Sequence, residues 1–469
     1  MNFLIRRKPL DGLATIEPDR QLSRTLTWVH LIPLGIGAIV GTGIYTLIGV
    51  GAERAGPAVV LSFACAGLLA LCSALVYAEM ATMLPVAGSA YTYTYTVLGE
   101  GLAWLVGWSL VLEYAVPCGA VAVGWSSYMV GLLDSIGIHL PPQLVAGPHD
   151  GGIINLPAVL ITGAVTLLLA RGARESATVN MLLVGIKLLA LGAFVLLTIV
   201  AVHPGHFTPF SPYGFLSHSQ DGHVRGVMAA AAIVFLAFSG FDSVSTAAEE
   251  VRDPARDMKI GIIGSLLIST AIYMLVAACA VGSTLFSDFA QSGEPLAFIL
   301  RGLHHPLAAS AIGIAAILAL PSVILVCMFG QTRIFFVMAR DGLLPRGLSH
   351  LSSSRRGPVL LAYLVGGFVS LIAGFFRLDE IAEMTNIGIL TAYVAVASCV
   401  MILRRSHPDL PRRFRCPAVW LVAPAAILGS LFFISSLPQV TMVRFCVWNA
   451  IGIVVYLAYG RRASLLAKT

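Results

Sequence analysis

The chain has 469 residues, of which 58% are hydrophobic and only 11% are charged. A soluble globular protein carries about 25% charged residues, so this composition excludes an ordinary soluble enzyme or binding domain. The net charge of +6 does not indicate a nucleic-acid partner, because almost all of the cations lie in short loops that flank apolar segments.

The first 25 residues are charged and polar and contain no apolar stretch with a cleavage site, so no secretory signal peptide is predicted. Apolar runs of about 20 residues then recur along the chain, and a run of that length crosses a bilayer as a helix. They predict twelve membrane spans, numbered here in chain order: 29–50, 58–84, 101–132, 153–171, 178–202, 226–251, 260–285, 307–340, 358–376, 380–403, 418–437 and 441–460.

The distribution of lysine and arginine residues predicts how these spans are oriented. With the N-terminus in the cytoplasm, 23 of the 29 cations lie inside, five lie outside, and Lys187 lies within span 5. Cytoplasmic loops of membrane proteins carry an excess of these residues. We therefore expect a multi-pass protein of the cell membrane (inner or plasma membrane) with both termini in the cytoplasm.

Spans 1 and 6 each contain an interruption at glycine. Span 1 contains Gly41-Thr42-Gly43, and span 6 contains Ser239-Gly240. An interrupted helix leaves backbone N–H and C=O groups without partners, and in a membrane such groups persist only where they line a cavity. Because the two spans run in opposite directions, the pattern indicates inverted repeats with a substrate site near the bilayer midplane.

The domain organisation follows from these breaks and from the topology, since the two halves share little letter-by-letter identity. We predict an all-α polytopic membrane protein with two inverted repeats of five helices. The segments are a cytoplasmic N-terminal segment (1–28), a first repeat (29–202), an outside loop (203–225), a second repeat (226–403), and a final segment with spans 11 and 12 and a short cytoplasmic tail (404–469).

Five stretches resemble the amino acid–polyamine–organocation permeases, in particular the bacterial relatives of the cationic amino acid transporters. They are GIGAIVGTGIY, YAEMATMLPVAGSAYTYTYTVLGE, GWSLVLEYAV, FSGFDSVSTAAEEVRDP and GQTRIFFVMARDGLLP, in this order between residues 5 and 345. The resemblance implies the LeuT-type fold, with discontinuous helices 1 and 6. It also implies secondary active transport of L-amino acids by alternating access, driven by protons or by exchange. No cofactor is predicted.

Both interruptions are candidate substrate contacts. The restarting half of span 1 presents free N–H groups and a positive dipole end, which suit a carboxylate, and glycine lets the backbone open there. A GxG string in an isolated membrane helix would more often be a packing surface, but the second break and the resemblance favour a site. The predicted substrate-binding residues are Ile39, Gly41, Thr42, Gly43, Leu236, Ala237, Ser239 and Cys327.

The resemblance assigns these residues different roles. Thr42 and Gly43 are expected to contact the substrate carboxylate, and the Ile39 carbonyl and those of the span 6 break to contact its ammonium. Cys327 is expected to line the side-chain pocket. The family often carries an aromatic gate where this chain has Leu236, so Phe235 and Phe238 beside it are the candidate gating residues.

Three ionisable residues inside spans are candidates for proton coupling. Lys187 lies about 14 Å into span 5, where an unpaired ammonium costs about 3 kcal/mol or more. By resemblance it stands where sodium-coupled members of the fold bind sodium, and its ammonium would bridge spans 1 and 8. The alternative is that it extends to the membrane interface.

The other two candidates are acids. Glu113 in span 3 is predicted to be a pocket or proton-path residue, or otherwise a structural hydrogen-bonding residue. Asp242 follows the span 6 break and is either a proton-sensitive carboxylate or the cap of the restarting helix. Three further acids, Glu79, Glu249 and Glu250, are expected to pair with Arg252, Arg256 or loop arginines.

Histidines and cysteines predict neither a metal site nor a covalent partner. The spacing of His203 and His206 could suit a metal, but no nearby cysteine or acid completes a site. The eight cysteines form no CxxC pair, and no extracellular disulfide to a partner subunit is expected. A small membrane subunit remains possible.

Several functions remain open at this point. The absence of a visible surplus acid in the pocket favours neutral amino acids over cationic amino acids or polyamines. Proton symport and amino acid exchange are distinguished only by Lys187, which favours protons. A membrane-embedded enzyme would need a nucleophile and base at plausible spacing, and none is recognised. A sensor would be expected to carry longer tails.

Overall fold

The computed structural model describes residues 6–8, 24, 26–86, 88–171, 173–216, 218–220, 223–290, 292–351, 358–376, 378–437 and 439–467. In its first half, the α-helices are α1 (Trp28–Ile39), α2 (Thr42–Tyr45), α3 (Leu47–Ala55), α4 (Val59–Met83), α5 (Ser89–Val97), α6 (Glu100–Ser135), α7 (Leu156–Arg171) and α8 (Ala173–Thr198). In its second half they are α9 (Val227–Val234), α10 (Ser243–Thr246), α11 (Pro254–Ser283), α12 (Phe286–Phe289), α13 (Pro295–Gly302), α14 (Pro306–Ala319), α15 (Pro321–Arg340), α16 (Val359–Phe375), α17 (Leu378–Ser406), α18 (Val419–Ser435), α19 (Gln439–Val455) and α20 (Arg461–Ala463).

Shorter elements connect these helices. Short 3₁₀ turns include Gly56–Ala58, Pro142–Leu144, Pro148–Asp150, Ile199–Ala201, Pro204–Phe207, Phe235–Phe238, Ala248–Glu250, Arg346–Ser349 and Leu465–Ala467, and a π-turn spans Tyr456–Gly460. The loop before α9 contains a small antiparallel pair, β1 (His218–Gln220) and β2 (His223–Arg225), in which His218 is opposite Arg225.

The structure is that of a polytopic helical membrane protein. Among the described residues, eight helical segments are long and apolar enough to cross a bilayer, and Trp28–Ile39, Leu156–Arg171, Val359–Phe375 and Val419–Ser435 are shorter apolar helices. Each of the twelve predicted spans coincides with one or more of these helical segments. The all-helical class is thus confirmed, with the β1–β2 pair as a minor exception.

The outer surface is apolar, while polar residues lie inside. Large aliphatic side chains are exposed on the outer faces of many helices, for example Leu189 (76%) and Leu307 (87%). Glu113, Lys187 and Asp242, by contrast, are all buried. This is the reverse of a soluble protein and is the distribution that a lipid solvent favours.

Packing between the two halves of the chain holds the core together. The first half packs against the second through α1 with α11, α4 with α9, α4 with α11, α6 with α15, α6 with α17, and α7 with α16. The first span therefore contacts the seventh, and the second contacts the sixth. Helix α8 packs on both α14 and α1, which places span 5 beside span 8 and the broken span 1.

A buried acid anchors the segment between α17 and α18 to the end of α4. The Glu79 carboxylate accepts two hydrogen bonds from Arg404, at 2.8 and 2.7 Å, and one from the Cys416 N–H at 2.7 Å. Arg412 lies 3.3 Å from the same carboxylate and donates to four backbone carbonyls of its own segment. These contacts connect span 11 to the helices of the first half.

We predict that Glu79→Gln lowers the free energy of unfolding by about 3 kcal/mol, because it leaves two arginines without their buried counter-charge. The matched control is Glu294→Gln, which removes the exposed ion pair with Arg301 (3.0 Å) and should cost less than about 1 kcal/mol. Thermal unfolding in detergent compares the two. Equal melting temperatures for both variants would contradict the assigned role of Glu79.

Candidate functional site

The first interruption lies between α1 and α2. Helix α1 ends with the Val40 N–H bonded to the Ile36 carbonyl, and Val40 itself is extended (φ −77°, ψ 98°). The helix restarts at Thr42, whose side chain lies outside the described part of the chain, and the Ile44 N–H bonds to the Gly41 carbonyl at 3.2 Å. The predicted interruption of span 1 is therefore present.

The second interruption separates α9 from α10. The chain continues past Val234 as the short 3₁₀ turn Phe235–Phe238, becomes extended at Ser239 (φ −62°, ψ 146°), and turns at Gly240 with φ +106°. A positive φ of this size strongly favours glycine. The helical path resumes only at Ser243. The predicted break of span 6 is also present.

Glycine residues let the two breaks contact each other at close range. A side chain at Gly43 would collide with the backbone and methyl group of Ala237, in the span 6 break. Conversely, a Cβ atom at Gly240 would lie 2.6 Å from the Ala38 methyl carbon, in span 1. The contact is therefore reciprocal, with each break supplying one glycine against an alanine of the other.

A small cavity of about 20 Å³ lies beside this contact. Its walls come from spans 1, 3, 6 and 8, namely Ala38, Ile39, Gly41, Gly43, Pro117, Ala120, Val121, Leu236, Ser239, Val323 and Cys327. Six predicted site residues (Ile39, Gly41, Gly43, Leu236, Ser239 and Cys327) are thus brought together around one space. Span 3 contributes three further residues that the sequence analysis did not identify.

One tyrosine connects the two breaks. The hydroxyl of Tyr273, in α11, lies 2.6 Å from the Ile39 carbonyl and 3.0 Å from the Ala237 carbonyl. Its ring packs against Phe238 and Phe63, with centroids 5.3 and 5.6 Å away. In the sequence, Tyr273 is one of several hydroxyl-bearing residues in an apolar span, and this pattern does not identify its partners.

The Leu236 carbonyl of the span 6 break also has internal partners. The Leu236 carbonyl accepts from the Ser239 N–H at 3.1 Å and from the Ser239 hydroxyl at 2.8 Å. In this conformation, backbone groups predicted to contact an ammonium are therefore bonded to a tyrosine and a serine. An incoming ligand would have to replace these contacts.

Lys187 lies against the end of the first half of span 1. Its ammonium is fully buried and donates to the carbonyl of Gly37 at 3.1 Å and to that of Val40. The Ser322 hydroxyl, in α15, lies 3.4 Å from the same Gly37 carbonyl. The last carbonyls of a helix lack intrahelical partners and carry partial negative charge. The site thus suits a cation, and Lys187 does not extend to the membrane interface.

The two candidate acids lie next to each other. Asp242 accepts a hydrogen bond from the Tyr114 hydroxyl, and its side chain does not cap α10. Glu113 lies near enough to Asp242 for the two carboxyl groups to interact electrostatically, and both of its carboxyl oxygens lack a hydrogen-bond partner among the described residues. Tyr77 and Tyr393 lie nearby, with rings 5.5 Å apart and hydroxyls without a hydrogen-bond partner among the described residues. The result is a buried polar cluster behind the span 6 break.

The two candidate gating residues pack away from the cavity. Phe235 contacts Tyr393 and Phe433, with ring centroids 6.1 and 5.5 Å away, whereas Phe238 packs on Tyr273. Leu236 is the residue of this turn that lines the cavity. The gating role of the two phenylalanines stays a prediction.

Ion pairs join the end of span 8 to the end of span 6. Arg333 donates to Glu250 at 3.1 Å and Arg340 to Glu249 at 2.9 Å, and all four side chains are buried or nearly so. The cations come from span 8, whereas the sequence analysis expected Arg252, Arg256 or loop arginines. Nearby, Lys8 pairs with Asp341 at 2.7 Å. Together these contacts close this end of the molecule.

The two candidate histidines of the outside loop lie next to each other. The rings of His203 and His206 are 5.6 Å apart, and the His206 ring bonds to the Gly282 carbonyl. Among the described residues, no group of three or more histidine, cysteine or acidic side chains could hold a metal ion. All eight cysteines are free thiols.

These features define a polytopic helical membrane protein with a cavity between two broken spans. The profile of the amino acid permease family matches residues 26–458, so the chain belongs to this family, whose members are transporters. Its membership of the amino acid–polyamine–organocation permeases, which the sequence predicted, is confirmed.

Three relatives have informative names. The chain is 43% identical to the branched-chain amino acid permease BcaP of Bacillus subtilis (strain 168) over 468 residues, 99% of each protein. It is 38% identical to the methylthioribose transporter of the same organism over 471 residues, 100% of each. It is 37% identical to the vacuolar cationic amino acid transporter 4 of Arabidopsis thaliana over 415 residues, 87% of this chain and 68% of that protein.

We predict that Gly43→Ala abolishes amino acid uptake, because the added methyl group forces the two breaks apart. Overpacking of this kind costs about 1–3 kcal/mol. The matched control is Gly163→Ala in α7, where an added Cβ meets no atom within 4 Å. Uptake into proteoliposomes containing equal amounts of folded protein measures the difference. Wild-type uptake by Gly43→Ala would show that close contact between the breaks is not required.

Proposed function

We propose that this protein is a secondary active transporter that imports neutral aliphatic L-amino acids by proton-coupled symport, through alternating access. The observation that carries the proposal is a cavity lined by residues of both interrupted spans. Unwound backbone supplies carbonyls for an ammonium and N–H groups for a carboxylate in one place. Free L-amino acids carry both groups.

We infer the LeuT-type arrangement, with twelve spans and the two repeats 29–202 and 226–403. The packing supports it, because exchanging spans 1–5 with spans 6–10 maps the observed helix contacts onto one another. The contact of span 1 with span 7 becomes that of span 6 with span 2, and the contact of span 5 with span 8 becomes that of span 10 with span 3. Each repeat also has its break in its first span.

In this proposal the substrate carboxylate binds at the restarting end of span 1, at Thr42 and Gly43, with Gly41 as the hinge. Its ammonium takes the carbonyl positions of Ile39 and Ala237, which Tyr273 now occupies at 2.6 and 3.0 Å. Replacing a hydroxyl by an ammonium at buried carbonyls gives stronger, charge-assisted hydrogen bonds. The Tyr273 hydroxyl would thus form, before the substrate binds, the hydrogen bonds that the substrate ammonium later forms with these carbonyls.

The small volume of the cavity supports alternating access, because the cavity must open before a substrate can enter. A space of about 20 Å³ holds about one water molecule, so an amino acid enters only if the walls move apart. The buried pairs Arg333–Glu250 and Arg340–Glu249 close the end that positive-inside topology places in the cytoplasm. We assign this conformation as contracted, with its cytoplasmic side closed, in a plasma (inner) membrane.

The lining of the cavity favours a neutral aliphatic side chain. Span 3 contributes Pro117, Ala120 and Val121, and span 8 contributes Val323 and Cys327, so no charged residue lines this space among the described residues. A cationic substrate would leave its charge unpaired there. The similarity to a protein named branched-chain amino acid permease over nearly the full length supports the same class.

Proton coupling is assigned to Lys187, with Glu113 and Asp242 as further proton-binding groups. A protonated Lys187 holds the end of the first half of span 1 through the Gly37 and Val40 carbonyls. A neutral amine has a lone pair on nitrogen and holds them less firmly. Gain and loss of this proton would therefore change how freely span 1 moves against span 8.

We predict that proteoliposomes containing the protein accumulate L-leucine, L-isoleucine and L-valine when the outside is acidic, and that L-arginine does not compete with them. The reason is the apolar wall of the cavity. This specificity is measured as inhibition of labelled L-leucine uptake by an excess of each unlabelled amino acid. Preferential uptake of L-arginine would refute the neutral substrate class, and uptake of methylthioribose alone would refute amino acid transport.

We predict that Lys187→Ala reduces uptake driven by a pH gradient to the level of empty liposomes, while exchange of internal for external L-leucine persists. Exchange needs substrate binding but no net proton movement. Lys259→Ala, at the partly exposed end of α11, is the matched control. Wild-type accumulation by Lys187→Ala would contradict the coupling role, and loss of both activities would indicate a structural role.

A further inference from the structure

Two buried thiols lie at the contact between span 3 and span 8, and one of them lines the cavity. Cys118, in span 3, and Cys327, in span 8, are both free and buried, and Cys327 lines the cavity. The Cys118 thiol donates to the Tyr114 carbonyl at 3.1 Å and lies 3.6 Å from the Ile324 carbonyl. Ile324 precedes Cys327 by one helical turn, so the Cys118 thiol packs against the turn of α15 that carries Cys327.

We propose that Cys118 and Cys327 form a binding site for a thiophilic divalent d¹⁰ cation of the Hg²⁺ type, which crosslinks span 3 to span 8 and blocks the carrier. Soft thiolate ligands select soft cations, and two-coordinate binding suits a site with two sulfur donors. Each thiol loses one proton and forms one metal–sulfur bond, so that two protons leave and no electron is transferred.

The surroundings favour a divalent over a monovalent cation. Two thiolates and one divalent cation make a neutral unit, and a neutral unit is the form that a buried, apolar environment tolerates. A cation also fits the contracted cavity of about 20 Å³, which an amino acid does not. The metal would thus bind the conformation described here and hold its walls together.

Other thiols are less suited to such a crosslink. Cys279 lies on α11, in span 7. Cys118, by contrast, contacts span 8 at the turn before Cys327. Cys416 lies in the segment between α17 and α18, where its backbone N–H donates to the Glu79 carboxylate. These two residues therefore supply control variants.

The test is inhibition of L-leucine uptake by HgCl₂ in proteoliposomes, and this readout rests on the proposed function. Cys118→Ser should raise the half-inhibiting concentration about tenfold or more, since even outer-shell partners of a metal change its affinity by 10- to 100-fold. Cys279→Ser and Cys416→Ser should not change it, and excess dithiothreitol should restore uptake. Equal inhibition of the wild type and Cys118→Ser would overturn the proposal.

A second measurement does not depend on transport. A variant that retains only Cys118 and Cys327 is titrated with HgCl₂ and examined by native mass spectrometry. Retention of one mercury per chain, lost on Cys118→Ser, supports the site, and a folded variant that retains no mercury overturns it. If this variant does not fold, the uptake comparison on the otherwise unchanged chain decides. A wild type that binds mercury but transports no amino acid would refute the proposed function and leave the metal site intact.

Discussion

The close contact between two broken helices is the constraint on which the rest of the structure depends. Gly43 of span 1 lies on Ala237 of span 6, and Gly240 of span 6 lies on Ala38 of span 1. At this distance there is no room for side chains at the two glycines, so backbone of both breaks lies beside the cavity. Because hydrocarbon cannot satisfy free backbone groups, each of these groups needs a partner within the protein or on a ligand.

Polar side chains from intact helices supply those partners. Tyr273 contacts carbonyls of both breaks, and Lys187 bonds to the last carbonyls of α1. Both side chains come from uninterrupted helices, α8 and α11. The ion pairs of Arg333 and Arg340 then fix one end of the assembly. The breaks and the ends of spans 6 and 8 are thus held by side chains of neighbouring helices.

The sequence predicted the helices and both breaks well, because apolar runs and glycine strings are local signals. It also predicted six residues that line the cavity, through their place in recognisable motifs. It did not identify Tyr273 or the span 3 wall at Pro117, Ala120 and Val121, since a tyrosine or a small residue in an apolar run carries no sign of which helix it faces. Partner choice is likewise a tertiary property: Glu249 and Glu250 pair with cations about 80 to 90 residues away in the chain, in span 8.

The most direct test of the account is a cryo-electron microscopy map of the protein with bound L-leucine, compared with a map of the ligand-free protein. The account predicts density for the amino acid between the two breaks. Its carboxylate should lie at the Thr42 and Gly43 N–H groups, and its ammonium at the Ile39 and Ala237 carbonyls, with the Tyr273 hydroxyl displaced. Leucine density elsewhere, or an unmoved Tyr273 hydroxyl still bonded to both carbonyls, would contradict it.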